Sequence, residues 1–148
     1  MNIETYSGSR FAVRLRRAHL DEIIAHAREG IPHEVCGFVA GKDGVSTAVF
    51  RARNIAAEPR RRFVPDAADF LRADEEIAAH GWEYLAVYHS HPASPAYPSD
   101  YDVEHRPYLL PEARAIICSM MDPDRPDVRV YRFEDDRVVP EPLEIVEE

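Results

Sequence analysis

The segment Tyr84-Leu-Ala-Val-Tyr88 is a continuous apolar run. A strand with one face in water alternates apolar and polar residues, so an unbroken run points to a strand covered on both faces. The chain also carries two amphipathic helical segments. Between Arg17 and Glu29, residues Leu20, Ile23, Ile24 and Ala27 fall at i, i+3, i+4 and i+7 on one helical face, with Gly30 and Pro32 as the stop. Asp66 is a cap for a second helix running to about His80 before Gly81, with Phe70, Ala73 and Ile77 on its inner face.

Other extended segments surround the central run. Phe11–Leu15, Val35–Ala40, Val45–Arg53, Ala113–Ser119 and Val128–Phe133 read as strands, and Arg60–Val64 as a short extended piece. Gly41-Lys-Asp-Gly44 is a turn, and Glu134-Asp-Asp136 opens a hairpin whose return strand runs from Arg137 to about Leu143. The expected fold is a mixed α/β domain with two main helices and about six strands. Its 148 residues suffice for one domain, expected over 11–148 after a loose, polar N-terminus at 1–10.

Composition excludes some functions. With 18 Lys+Arg against 27 Asp+Glu the net charge is −9, which disfavours a nucleic-acid binder. No stretch approaches the ~18 apolar residues of a membrane helix. No secretory signal is visible. The two cysteines, Cys36 and Cys118, are therefore expected as free thiols in a reducing cytoplasm, although one disulfide is conceivable. Lys42 is the single lysine, and Arg60-Arg61-Arg62 is the one basic cluster. It reads either as a solvated run or as a docking strip for an acidic protein substrate.

The chemistry-bearing segment follows the central run: His89-Ser-His-Pro-Ala-Ser-Pro-Ala-Tyr-Pro-Ser-Asp-Tyr-Asp102. Side chains at i and i+2 of a strand share a side, with Cα atoms roughly 6.6 Å apart. Two imidazoles so placed can converge on one ion, and zinc also accepts a carboxylate such as that of Asp102. Three protein ligands leave a fourth position for water, as in catalytic zinc sites. Each piece alone is weak. A His-x-His pair arises by chance, and Ser99-x-x-Asp102 is also a capping box that opens a short helix. The two readings are compatible. Glu34, in His33-Glu34-Val35-Cys36-Gly37, is a candidate proton acceptor, or else a solvated residue between helix and strand. The His-Glu-x-x-His helix motif is absent, because position 37 is Gly.

Taken together, Glu34, His89-Ser90-His91, seven further residues and Ser99-x-x-Asp102 give the pattern E…H-[ST]-H-x7-S-x-x-D. The chain resembles the JAMM (MPN+, JAB1/Mov34/PAD-1) zinc metallopeptidases over nearly its whole length. Its Ala96-Tyr-Pro-Ser99 stretch and compact size resemble the bacterial branch that acts on ubiquitin-like sulfur-carrier proteins. One departure is Pro92, where that branch often has threonine; His-Ser-His-Pro is common in the wider family.

The resemblance implies a cytidine-deaminase-like fold: a mixed β-sheet with flanking helices, the JAB/MPN domain. It implies His89, His91 and Asp102 as ligands of one Zn²⁺ per chain, Glu34 as general acid/base and Ser99 as the hydrogen-bond donor to the oxyanion. It further implies hydrolysis of the peptide or isopeptide bond after the C-terminal Gly-Gly of a ubiquitin-like or sulfur-carrier protein, for example releasing cysteine from a carrier–cysteine adduct. The rival readings are a metal-free MPN scaffold that binds partners and a small-molecule amidohydrolase. Tyr97 is a candidate for lining a groove for the tail. Cys36 and His105 stand near enough in sequence to approach the metal, but read first as a core residue and a surface residue. Cys118 reads as core, and His19, His26, His33 and His80 as ordinary.

Overall fold

The computed structural model describes residues 12–106, 110 and 112–147. The expectations for residues 1–10 and for Phe11 lie outside the described residues. Eight strands form one mixed sheet: β1 (Val13–Arg16), β2 (Cys36–Lys42), β3 (Val45–Ala52), β4 (Glu83–His91), β5 (Arg114–Ser119), β6 (Asp127–Glu134), β7 (Arg137–Glu141) and β8 (Leu143–Val146). Among the described residues three helices accompany them: α1 (Arg17–Gly30), α2 (Ala67–His80) and the short α3 (Asp100–Glu104). None is long and apolar enough to cross a membrane.

The strand order is β7-β6-β5-β4-β2-β3-β1-β8. β4 lies inside the sheet, antiparallel to β2 and parallel to β5. From Ala86 to His91 every one of its residues is buried, while Tyr84 and Leu85, at the start of the apolar run, are half-buried. Alternation along the strand then sorts side chains by face. Ala86 and Tyr88 join Leu20, Ile23 and Ala27 of α1 in one core. Val87 joins Phe38 and Ala73, with Phe70, beneath α2 on the other. His89 and His91, in phase with Val87, therefore belong to the α2 face.

Both main helices match the expected spans. The Asp66 carboxylate caps α2 by accepting the Asp69 N–H, and Gly81 closes it. Gly30 plays a different part from the expected stop. It is the last residue of α1, and a Cβ there would come within 2.2 Å of Val35 Cγ1. Close approach of helix and strand, rather than a left-handed cap, selects glycine at this position.

Two further expectations need correction. Arg60–Val64 is not extended from its start: Arg61 and Arg62 N–H both bond the Glu58 carbonyl in a turn, and one bridge joins Asn54 to Pro65. The expected return strand is divided. β7 pairs with β6 and stops at Glu141, whereas β8, one residue later, pairs in parallel with β1 at the other edge of the sheet. The single intervening residue, Pro142, spans at most ~7.2 Å between neighbouring Cα atoms. The two edges must therefore meet at that corner, so the sheet is curled almost upon itself.

Candidate metal and catalytic site

His89 and His91 end β4, and Asp102 lies in the first turn of α3. The loop between them folds back so that three donor atoms form a triangle. His89 Nε2, His91 Nε2 and Asp102 Oδ2 are each 3.1 Å from the other two. All three residues are buried. Among the described residues this is the one group of three or more such side chains able to hold a metal.

The loop fixes this triangle through defined bonds. His91 Nδ1 lies 2.8 Å from the Pro95 carbonyl. A carbonyl only accepts, so Nδ1 carries a proton, and the ring is turned with Nε2 towards Asp102 and His89. The Ser119 hydroxyl donates to the Ser94 carbonyl at 2.6 Å, and Tyr131 Oη to the Ala96 carbonyl at 2.5 Å. Ser99 caps α3, with the reciprocal bonds of a capping box. Burial alone would raise the Asp102 carboxyl. The imidazoles of His89 and His91, with the Ser99 N–H, instead hold it ionised, well below the usual carboxylate range. Burial in turn lowers the pKa of His89.

This donor set fits a divalent metal. Two imidazole nitrogens and one carboxylate oxygen are a common zinc set. Tetrahedral ligands at about 2.0 Å from zinc stand roughly 3.3 Å from one another, close to the observed edges. Without a cation, two nitrogen atoms would face each other and share one oxygen in a dry environment, an arrangement with an unmet electrostatic cost.

Glu34 enters from the start of β2. Cys36 pairs with His89 across the ladder, and the Ser90 N–H bonds the Val35 carbonyl. Continuing this antiparallel register sets Glu34 opposite His91. The Glu34 side chain is buried and its Oε1 has no hydrogen-bond partner. Burial pushes its carboxyl up to about 8; His91 opposes this and the Asp102 charge adds to it. A solvated residue between helix and strand would show none of these features.

Two residues that sequence reasoning missed hold this entry. Ser90 Oγ accepts the Val35 N–H at 2.9 Å. Asn54 Nδ2 donates to the carbonyls of Glu34 and Arg62, both at 2.9 Å, while its Oδ1 accepts from Ala56 and Val64 at 3.0 Å. Ser90 is the middle residue of the H-[ST]-H pattern, which does not reveal this bond, and Asn54 belongs to no recognisable local pattern. Their partners are far away in sequence, except for the near neighbours of Asn54.

The remaining candidates separate cleanly. His105 is the exposed residue just past the end of α3, its ring 3.9 Å from that of Tyr101, outside the metal-binding group. Cys36 Sγ faces the carbonyls of Ala52 and Arg53, and Cys118 lies in the core on the α1 face. Both thiols are free, and burial pushes each up to about 12. Tyr97 is exposed and packs edge-on against Tyr131. Beside the triangle lies a mostly apolar cavity of about 550 Å³, with Phe63, Tyr101, His89 and Asp102 on its wall.

The family model for prokaryotic homologs of the JAB domain matches residues 16–134. The chain belongs to this prokaryotic JAB family. The JAB chain is 31% identical over 142 residues to a CysO-cysteine peptidase of Mycobacterium tuberculosis, covering 95% of this chain and 96% of the relative. It is 38% identical over 105 residues to a desampylase of Haloferax volcanii, covering 67% and 74%. A solution structure of a protein from Desulfitobacterium hafniense matches the JAB domain with a TM-score of 0.80 and 30% identity, over 91% of this chain and 93% of that one. A JAB1/MPN-domain protein from Archaeoglobus fulgidus shares the fold at 18% identity and a TM-score of 0.59, over 92% and 98%. The mixed sheet with flanking helices is thus the JAB/MPN fold expected from the sequence.

Proposed function

We propose that this chain is a zinc-dependent hydrolase that cleaves the bond after the C-terminal Gly-Gly of a ubiquitin-like or sulfur-carrier protein. The observation that carries the reading is the buried His89–His91–Asp102 triangle with the unpartnered Glu34 carboxyl opposite His91. The names of the relatives support the substrate class: a CysO-cysteine peptidase and a desampylase.

His89, His91 and Asp102 would hold one zinc ion per chain. Zinc, when bound, lowers the pKa of water and polarises a carbonyl. Glu34 is the general acid/base. Its raised carboxyl, buried and free of other partners, suits it to take a proton from the attacking water and return it to the leaving amine. Ser99 Oγ accepts the Asp102 N–H, which leaves the hydroxyl proton free to donate to the developing oxyanion.

The reading is tested with a carrier protein ending in Gly-Gly joined to cysteine, and with small amides, each with and without chelator. Release of the carrier, lost on chelation and restored by zinc, is expected. Cleavage of small amides alone would favour an amidohydrolase. A chain that holds no zinc and binds carrier without cleaving it would favour a scaffold.

A further inference from the structure

Arginines in this acidic chain mostly lie against carboxylates. Arg51 meets Glu22 and Glu29, and Arg53 meets Asp66 and Asp69. Arg60 and Arg61 are different. Both are exposed, and neither makes an ion pair with any described residue. Their neighbour Arg62 reaches Glu58 at 3.7 Å and lies over the Tyr101 ring, 4.6 Å from its centroid.

Their place in the fold gives them meaning. The Pro59 carbonyl accepts the Glu34 N–H at 2.7 Å. Asn54 ties the Glu34 and Arg62 carbonyls together. Phe63 stacks on the His89 ring with centroids 4.3 Å apart. Residues 59–63 thus bridge the two halves of the site, Glu34 on one side and His89 with α3 on the other. Their backbone is fixed relative to the metal-binding triangle, and two unpaired guanidinium groups project from it.

From this placement we propose that Arg60 and Arg61 are an electrostatic docking strip for carboxylates on the folded carrier, around the root of its tail. The proposal rests on the functional reading above and deepens it. A Gly-Gly tail has no side chains by which one carrier could be told from another, so the folded surface next to the tail must supply the difference. An acidic carrier is repelled by the −9 charge of this chain as a whole and attracted at this strip. Local attraction beside the site against general repulsion fixes orientation as well as affinity.

The test compares the wild type, R60A/R61A, R60E/R61E and K42E. Lys42 is exposed at the far end of β2, roughly 20 Å from Cys36 at ~3.3 Å per residue, and controls for net charge. The probes are the CysO–cysteine adduct and a synthetic peptide of the carrier's last residues ending Gly-Gly-cysteine. Rates are read from about 20 mM to about 500 mM NaCl, which takes the Debye length from tens of ångströms to a few. For R60E/R61E, kcat/KM on the adduct should fall at least ~10-fold at low salt, through KM, with the difference closing at high salt. R60A/R61A should fall in between, and K42E should stay within about two-fold of wild type.

The ratio of adduct to peptide kcat/KM must fall for the arginine variants. A wild-type rate on the adduct for R60E/R61E, or an equal loss on the peptide, overturns the strip while leaving the hydrolase reading intact. A wild type that cleaves neither probe overturns the hydrolase reading. Calorimetric binding of the carrier then still decides the strip: salt-sensitive binding lost in R60E/R61E supports it, and no binding overturns it.

Discussion

Ser99 and Asp102 hold each other from both directions. The Ser99 N–H donates to Asp102 Oδ2 at 2.9 Å, and Ser99 Oγ accepts the Asp102 N–H at 3.1 Å. That same Oδ2 lies 3.1 Å from both histidine Nε2 atoms. The helix cap and the metal-binding triangle are therefore one structure. In Ser99→Ala the backbone bond to Asp102 remains, so zinc content should be unchanged. Loss of the cap should cost about 1 kcal/mol in a denaturant titration. Loss of the hydroxyl donor should slow turnover roughly 10²–10³-fold. Ser99→Thr should keep most of both. A destabilised alanine variant with wild-type kcat would leave Ser99 the capping role alone.

The three donors should act as a unit towards metal. Metal analysis of the purified protein should give close to one zinc per chain, and His89→Ala or Asp102→Ala should lose it. Zinc at 100 times its Kd should add about 2.7 kcal/mol to wild-type stability and nothing to these variants. Full zinc occupancy in His89→Ala/His91→Ala would remove the triangle from consideration.

Glu34→Gln keeps the size and polarity of the side chain but cannot accept a proton. Because Oε1 already lacks a partner, the variant should fold normally. It should hold zinc and bind the carrier, yet hydrolyse the adduct at least ~100-fold more slowly. A single-turnover assay with metal measured in the same sample decides the matter. Activity within a few-fold of wild type would exclude Glu34 from the mechanism.

Asn54 offers a separate check on how Glu34 is held. Its side-chain amide uses both donors and both acceptor positions of its oxygen. Asn54→Ala leaves the carbonyls of Glu34 and Arg62 without these donors, at about 1–3 kcal/mol where such groups are buried. The expected outcome is a lower kcat with zinc content retained, and a smaller loss in kcat for Asn54→Asp than for Asn54→Ala. Loss of zinc together with activity would instead mean that Asn54 supports the fold as a whole.

The legible parts of this chain are those set by short-range spacing. His89, His91, Ser99 and Asp102 lie within one strand, one loop and one helix start, so their convergence follows from strand period and capping chemistry. The burial of Glu34 is different. Its backbone is tied to Pro59 and Asn54, 20 or more residues further along, and no local pattern distinguishes it from a solvated glutamate. β8 was hidden for the same reason, since its partner β1 stands at the opposite end of the chain. The stretch 60–64 has an extended composition, but Asn54 claims the Arg62 carbonyl and the Val64 N–H for itself.

Away from the metal, the half-buried His26 and the buried Tyr88 form a pair that should respond to acid. His26 Nδ1 lies 2.7 Å from Tyr88 Oη, and the rings meet edge to face at 5.8 Å. Burial raises the pKa of the Tyr88 hydroxyl, which therefore stays protonated and donates, so Nδ1 must be the acceptor and the imidazole neutral. Burial first, and then the Arg51 charge, pushes His26 down to about 4, with Glu29 and Glu22 partly opposing. The unfolded chain, with an ordinary histidine near 6.5, binds the extra proton first as pH falls. The contribution of His26 is therefore complete above about 6.5, declines between 6.5 and 4 by at most ~1.4 kcal/mol per pH unit, and is flat below. His26→Gln retains an acceptor for the Tyr88 hydroxyl but cannot titrate. Urea midpoints at pH 7, 6 and 5 should fall faster for the wild type than for this variant. Zinc-loaded samples of both proteins cancel the titration of the metal site. Parallel curves would mean that His26 takes up its proton in the folded protein as easily as in the unfolded one.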